Sequence, residues 1–256
     1  VTDLPTRLDT ELVRRGLARS RRQARELVAQ GAVLVDGRPA TKPSAAVDRG
    51  TLIDLAVKPE RWVGRAAYKL LAALDQFELD VTDRRCLDVG ASTGGFTQVL
   101  LEAGARHVTA LDVGHGQLDA ELAADPRVEE RSGTNIRDVR PGDLGDPFDG
   151  IVADLSFISL RLVLPVLQPL MTPEADAVLL VKPQFEVGRE RLARTGVVTS
   201  PNERQRALDE VLEAATAAGF DQRGLAPSPL RGATGNEEYL LWVTTGLRPP
   251  RKQGAP

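Results

Sequence analysis

The chain has 256 residues, 27% of them charged and 42% hydrophobic, with a formal net charge of −3. That length has room for one good-sized domain and a small one, and the balanced charge excludes a uniformly polybasic binder. A single cysteine rules out an internal disulfide and fits a reducing compartment. No apolar run approaches the ~20 residues that span a bilayer, and the N-terminus lacks an apolar signal core. A cytoplasmic protein that does not enter membranes is expected.

The charge is unevenly placed: residues 1–60 carry 11 Lys/Arg against 8 Asp/Glu, so this part is net positive and the remainder net negative. Leu8 and Leu12 stand at helical spacing, and Gly16 can end that helix. Ser20 is placed to cap a second helix on which Ala24, Leu27 and Val28 form an apolar sector, closed by Gly31. Ala32 to Val35 reads as a strand, Asp36-Gly37 as a hairpin turn, and Ile53, Leu55 and Val57 as alternate residues of a later strand. Arg14, Arg15, Arg19, Arg21, Arg22 and Arg25 crowd this unit with no acid among residues 12–25. A solvated face is the usual fate of a charge run, but helical pairing would have mixed the signs. The string R-L-D-x-x-L-x-x-x-G-L-A-x-S-R-x-x-A, then G-x-V-x-V-D-G and Lys42-Pro43, resembles the ribosomal protein S4-type RNA-binding domain over about residues 6–58. The resemblance implies that these six arginines bind structured RNA, through phosphate contacts that position more than they specify.

Pro59 to Gly64, with Trp62, reads as a linker between a domain at 1–58 and another at 65–256. Beyond it, strands near 85–89, 107–112, 127–131, 149–154, 177–182 and 238–244 alternate with helical stretches. Such alternation favours a parallel sheet flanked by helices, with ligands at the carboxyl ends of the strands. The first strand runs into Asp88-Val89-Gly90-Ala91-Ser92-Thr93-Gly94-Gly95-Phe96, a turn rich in small residues that opens an apolar helix. Its G-x-x-x-G-G spacing is not the G-x-G-x-x-G of dinucleotide binders, and an acid at 88 would face a phosphate unfavourably. The segment resembles the first motif of S-adenosylmethionine-dependent methyltransferases, whose cofactor is cationic. Asp88, Gly90, Ser92, Gly94, Gly95 and Phe96 are therefore candidate cofactor residues. Asp112, ending the second strand, is placed to accept from ribose hydroxyls, and Asn135 is a candidate adenine contact.

The fourth strand ends in Asp154-Leu155-Ser156-Phe157. Amino-group methyltransferases use D/N-P-P-Y/F here, and both prolines are missing. Methylation at carbon 5 of a pyrimidine would need a nucleophilic cysteine beyond this strand, whereas Cys86 lies on the first. With 28 arginines and five lysines, the chain still places Lys182 at the end of a buried strand and Lys69 on the first helix after the linker. A lysine can serve as a base where an arginine cannot. Lys69, Asp154, Lys182 and Glu238 resemble the Lys-Asp-Lys-Glu set of FtsJ-like ribose 2′-O-methyltransferases; spacing alone would allow Glu237 in the last place. With D-V-G-A-S-T-G-G-F-T, A-D-L-S-F-I-S-L, V-K-P-Q-F-E-V-G and G-N-E-E-Y-L-L-W, nearly the whole chain resembles the TlyA-type family of ribosomal RNA methyltransferases.

That resemblance implies an α/β fold: a Rossmann-like methyltransferase with a mainly parallel sheet, preceded by a small α+β RNA-binding domain. It implies methyl transfer from S-adenosylmethionine, bound also at Asp154, to the 2′-hydroxyl of cytidine in ribosomal RNA within ribosomal subunits, with no metal and no obligate protein partner. Lys182 would take the hydroxyl proton or stabilise the alkoxide, Asp154 would orient it, and Lys69 and Glu238 would tune its charge and help position the ribose. Phe157 would stack on a base. Two rivals come from other classes: an RNA-binding or assembly factor with a vestigial catalytic fold, and a membrane-active haemolysin, as some family members are labelled. The intact glycines and complete tetrad oppose the first. The second lacks a spanning segment or an apolar amphipathic face.

Overall fold

Two short helices meet over a small apolar core near the N-terminus because each repeats apolar residues at helical spacing. A computed structural model describes residues 5–56, 61–188, 190, 192 and 195–246, and the chain divides into units at Val1–Arg61 and Trp62–Pro256. In the first unit, β1 (Thr6–Arg7) runs directly into α1 (Leu8–Arg14), which buries Leu8 and Leu12. α2 (Arg21–Ala29) is capped by Ser20, whose hydroxyl accepts from the Gln23 N–H at 3.2 Å. β2 (Val33–Val35) turns through Asp36 and Gly37, both at positive φ, into β3 (Arg38–Pro39). β4 (Ala46–Val47) pairs with β1, and β5 (Ile53–Leu55) completes an antiparallel order β3-β2-β5. Val57, expected on the last strand, and Pro59 and Glu60 of the expected linker lie outside the described residues.

The second unit opens with α3 (Ala67–Gln76), then β6 (Arg85–Val89), α4 (Gly95–Glu102), β7 (His107–Asp112), the short α5 (Ala120–Ala123) and β8 (Val128–Ser132). β9 (Phe148–Ala153), α6 (Leu164–Leu167), β10 (Met171–Val181), α7 (Pro183–Glu186), α8 (Pro201–Ala217), β11 (Phe220–Pro227) and β12 (Tyr239–Thr245) follow. The seven strands order as β11-β12-β10-β9-β6-β7-β8, parallel from β8 to β10, with β12 antiparallel to both its neighbours. Alternation along the strands feeds two cores, one on each face. Leu87 and Val89 join Leu164, Leu167 and Val211 on one side; Cys86 joins Leu70, Phe96 and Leu100 on the other. Trp62, read from sequence as linker, is buried in the second of these cores.

The expected alternation is present, with shifted ends. β9 stops at Ala153, β10 at Val181, and β12 starts at Tyr239, so Asp154, Lys182 and Glu238 each sit one residue outside a strand. Two remain tied to neighbouring strands through the backbone: the Asp154 N–H donates to the Val89 carbonyl at 3.1 Å and the Glu238 carbonyl accepts from the Ser228 N–H at 2.8 Å. β11 was not foreseen: it is an edge strand with a glycine, a terminal proline and a bulge between Gln222 and Gly224, which disguise a strand pattern. The strand order reverses between β6 and β9, and a crevice forms outside the carboxyl ends of strands at such a point.

Candidate active site

After β6 the chain turns through Gly90 at φ +85° and Ser92 at φ +48° before α4 begins. A Cβ at Gly90 would stand 2.7 Å from the Asp154 carbonyl oxygen, so glycine lets this turn lie against the end of β9. Gly94, at φ +95°, answers to packing instead: a Cβ there would strike the side chains of Leu118 and Leu122. Two adjoining cavities of about 460 and 530 Å³ open beside the turn and share Gly90, Ser92, Asp154, Ser156 and Phe157.

The larger cavity is walled by Asp112, Asn135 and the apolar Leu111, Val113 and Ile136. Asp112 Oδ2 accepts from the Ser92 N–H and Oδ1 from the Gly114 N–H, both at 2.8 Å, which fixes the carboxylate while each oxygen keeps a second lone pair. Asn135 caps the short turn Ile136–Asp138, its side-chain oxygen accepting from the Arg137 N–H at 3.1 Å. Gly95 and Phe96 line the smaller cavity. Asp88 and Gly94 line neither. Asp88 is fully buried; its Oδ2 accepts from Thr97 Oγ1 at 2.7 Å, and its Oδ1 is buried with no hydrogen-bond partner among the described residues. Burial pushes this carboxyl up to about 7, the Thr97 hydrogen bonds oppose that, and the nearby Asp154 and Asp112 add to it. Asp112 and Asp154, the two of these acids that line the cavities, suit a cationic ligand and oppose a phosphate.

The smaller cavity holds Lys69, Asp154, Lys182 and Glu238 together. Lys182 Nζ stands 2.6 Å from Asp154 Oδ1, Asp154 Oδ2 is 3.4 Å from Lys69 Nζ, and Lys69 Nζ is 2.6 Å from Glu238 Oε2. The result is a run of alternating charge in which Lys69, Lys182 and Glu238 are buried. The Lys182–Asp154 contact is close but not aligned as a hydrogen bond, since Asp154 Oδ1 has no aligned donor; Lys182 instead donates to Ser156 Oγ at 3.0 Å. Buried ion pairs are weak devices for stability because desolvation offsets their attraction, so four charges gathered at a cavity point to chemistry. The Glu237 alternative separates cleanly: Glu237 pairs with Arg204 and Arg231 and is 40% exposed, away from Lys69.

Several wall residues escaped the sequence reading. Ser156 is one. Gly232 is another: a Cβ there would come within 2.6 Å of Glu238 Oε1. The loop carrying Gly232 and Thr234 is held by buried Asn236, which donates to the Gly196 carbonyl and accepts from the Val198 N–H, both at 2.9 Å. Glu186 lines neither cavity but follows the wall residue Phe185 and is buried, accepting from Ser159 Oγ at 2.5 Å and from the Leu160 N–H at 2.8 Å. Ser156, Glu186 and Asn236 fall in strings chosen for other residues, whereas Gly232 lies in none of them. Phe157, foreseen as a stacking ring, is 91% exposed at φ +64°, with its ring 5.3 Å from that of Phe185. A bulky residue at positive φ marks a constrained position. Cys86 lines neither of these cavities, its thiol pushed up to about 12 by burial.

The basic helices correct one expectation. The lack of acids at 12–25 argued against pairing within the run, yet acids just ahead of it take four of its arginines. Asp9, fully buried, accepts from Arg7, Arg21 and Arg25. Glu11 accepts from Arg14 and Arg15. Arg15 also donates to the carbonyls of Thr51 and Arg49, which ties α1 to the turn before β5. Arg19 and Arg22 are exposed.

The description "FtsJ-like methyltransferase" matches residues 62–245 and "S4 domain" matches residues 6–53. The 16S/23S rRNA (cytidine-2′-O)-methyltransferase TlyA of Mycobacterium tuberculosis is 52% identical over 240 residues, covering 93% of this chain and 90% of that protein. A solved structure from Lactococcus lactis, described as a hemolysin, superposes with a TM-score of 0.72 at 39% identity over 73% of this chain and 90% of its own. An S-adenosylmethionine-dependent methyltransferase from Listeria monocytogenes shares the fold, with a TM-score of 0.53 at 15% identity over 71% of this chain and 98% of its own.

Proposed function

The chain belongs to the FtsJ-like methyltransferase family and carries an S4 domain ahead of its catalytic unit, and from that membership we propose that it methylates the 2′-hydroxyl of cytidine in ribosomal RNA, in the cytoplasm, with S-adenosylmethionine as donor. The observation that carries this reading is the Lys182–Asp154–Lys69–Glu238 run lining the smaller cavity, with Asp154 shared between both cavities. The larger cavity suits a nucleoside, with Asp112 for ribose hydroxyls and Asn135, Val113 and Ile136 for an adenine. Asp112 and Asp154 beside the glycine turn suit the positive charge of the donor. When bound, S-adenosylmethionine supplies a methyl group on a cationic sulfur, activated for attack by an oxygen.

The protein's own task is to hold the hydroxyl, manage its proton and exclude water. Lys182 brings its amine to the 2′-oxygen, to accept the proton or to donate to the oxygen as charge develops. Asp154 holds Lys182 from one side and Lys69 from the other, while Glu238 fixes Lys69. Asp154 directs the Lys69 amine and Ser156 the Lys182 amine, and alignment of this kind supplies much of the acceleration when one oxygen attacks one carbon. Phe157 and Phe185 offer a ring surface beside the cavity for an unstacked base.

Lys182→Arg keeps the charge and removes the capacity to accept a proton. Methyl transfer to unmodified ribosomal subunits should fall by roughly 10²–10⁴, while S-adenosylmethionine affinity, measured by calorimetry, stays near that of the wild type. Retained turnover would remove Lys182 from proton handling. Among the described residues no helix is long and apolar enough to cross a membrane, and no observation favours a membrane-active second reading.

A further inference from the structure

The S4 unit holds two carboxylates where a phosphate-binding face would be expected to have none. Asp9 is fully buried and Glu11 nearly so, and both lie in the first turn of α1. Arg7 grips Asp9 with Nε on Oδ1 and Nη2 on Oδ2, each at 3.0 Å. Arg21 Nη2 and Arg25 Nε, from α2, reach the same Oδ2 at 3.2 and 3.3 Å. Beside them, Arg14 Nε donates to Glu11 Oε2 at 2.7 Å, and Arg15 Nε to Oε1 at 2.7 Å. The acids are hidden by the guanidinium groups themselves. The arginines remain open: the side chains of Arg7, Arg21 and Arg25 are 48%, 51% and 56% exposed.

We propose that Asp9 and Glu11 are positioning residues for RNA: Asp9 gathers arginines from β1 and α2, Glu11 fixes the pair at the end of α1, and the outer edges of the exposed arginines form one fixed phosphate-binding face. The inference rests on the RNA-binding reading of the S4 unit. A guanidinium carries five N–H donors in a rigid fork, so the one or two bonds given to Asp9 hold it without using up its phosphate-binding edge. Three like charges would otherwise separate, and each long side chain would lose its rotamer freedom only on meeting RNA, which weakens association. Arg14 and Arg15 hold Glu11 down toward about 2, and the three arginines hold Asp9 lower still, so both acids stay charged under any condition in which RNA binds. Arg15 has the inward part, its other bonds going to the backbone at Thr51 and Arg49.

The sign of the effect separates this from plain electrostatics. Removing an acid from an RNA-binding face makes it more positive, and counterion release then predicts tighter binding. Positioning predicts weaker binding. The full-length protein and its Asp9→Asn and Glu11→Gln variants are titrated against unmethylated large and small ribosomal subunits, tested separately at several salt concentrations. Thermal melting checks each fold. The inference expects Asp9→Asn to lose roughly tenfold in affinity with a shallower salt dependence, as fewer arginines meet phosphates together. Glu11→Gln should weaken binding less, since one of its two arginines faces the backbone. Affinity unchanged or tighter in a folded Asp9→Asn variant overturns the inference; if that variant does not fold, the same outcomes are read from Glu11→Gln. Failure of the wild-type protein to bind either subunit overturns the RNA-binding reading itself.

Discussion

Asp88 shows how burial sets the chemistry of a residue whose identity was plain in the sequence. Its carboxyl is raised to about 7, whereas an unfolded aspartate titrates near 3.9. A raised acid means that the folded state binds the proton more tightly than the unfolded state does. Its contribution to stability is therefore best below pH ~4, is lost progressively as pH rises through the window to about 7, and is fully lost above it. In Asp88→Asn this titration is gone. Chemical denaturation across that window should show the variant gaining on the wild type by a few kcal/mol from acid to neutral pH. A constant difference between the two proteins would mean that Asp88 titrates alike folded and unfolded. At this scale the sequence was legible where the residue type is itself unusual. Glycines at forced backbone angles and two lysines among many arginines stand out in any reading. Asp9, Glu186 and Asn236 did not, because a carboxylate or amide becomes informative only once the fold has buried it among groups distant in the chain.

Elements place the proposed reactive groups by where they end. Asp154 follows β9, Lys182 follows β10 and Glu238 precedes β12, so the register of three neighbouring strands brings the charges within reach. Hydrophobic alternation marks these strands but not their ends, which fall a residue or more away, since it does not register where ladder bonding stops. The edge strand β11 escaped because its bulge breaks the alternation. One tie between elements is testable directly. Glu186, in α7, holds Ser159 and Leu160 and so anchors the segment from Asp154 to Leu160 against the turn that follows Lys182. Glu186→Ala leaves the buried Leu160 N–H without its acceptor, at about 1–3 kcal/mol, and releases the half-buried Ser159 hydroxyl. The melting temperature should fall, and methyl transfer should fall further than the remaining folded fraction accounts for. Glu186→Gln, which keeps an acceptor oxygen, should recover part of both. An unchanged melting temperature in Glu186→Ala would show that the tie is not made.

Across the whole molecule, charge and chemistry are divided between two units. Residues 1–60 are net positive and the remainder net negative, so attraction to RNA is concentrated on the S4 unit, while the catalytic unit carries the acids that suit a cationic donor. A ribosomal substrate fits this division: a basic unit to bind structured RNA and a cavity of buried charges to modify one ribose. Both units were legible in outline, the first from its arginine run and turn residues, the second from its glycine turn and tetrad. The most direct measurement is methyl transfer from labelled S-adenosylmethionine to unmodified large and small ribosomal subunits, offered separately, followed by nucleoside mass spectrometry. The account predicts 2′-O-methylcytidine on at least one subunit. A base-methylated nucleoside, or no product from a protein that binds the donor, would contradict it.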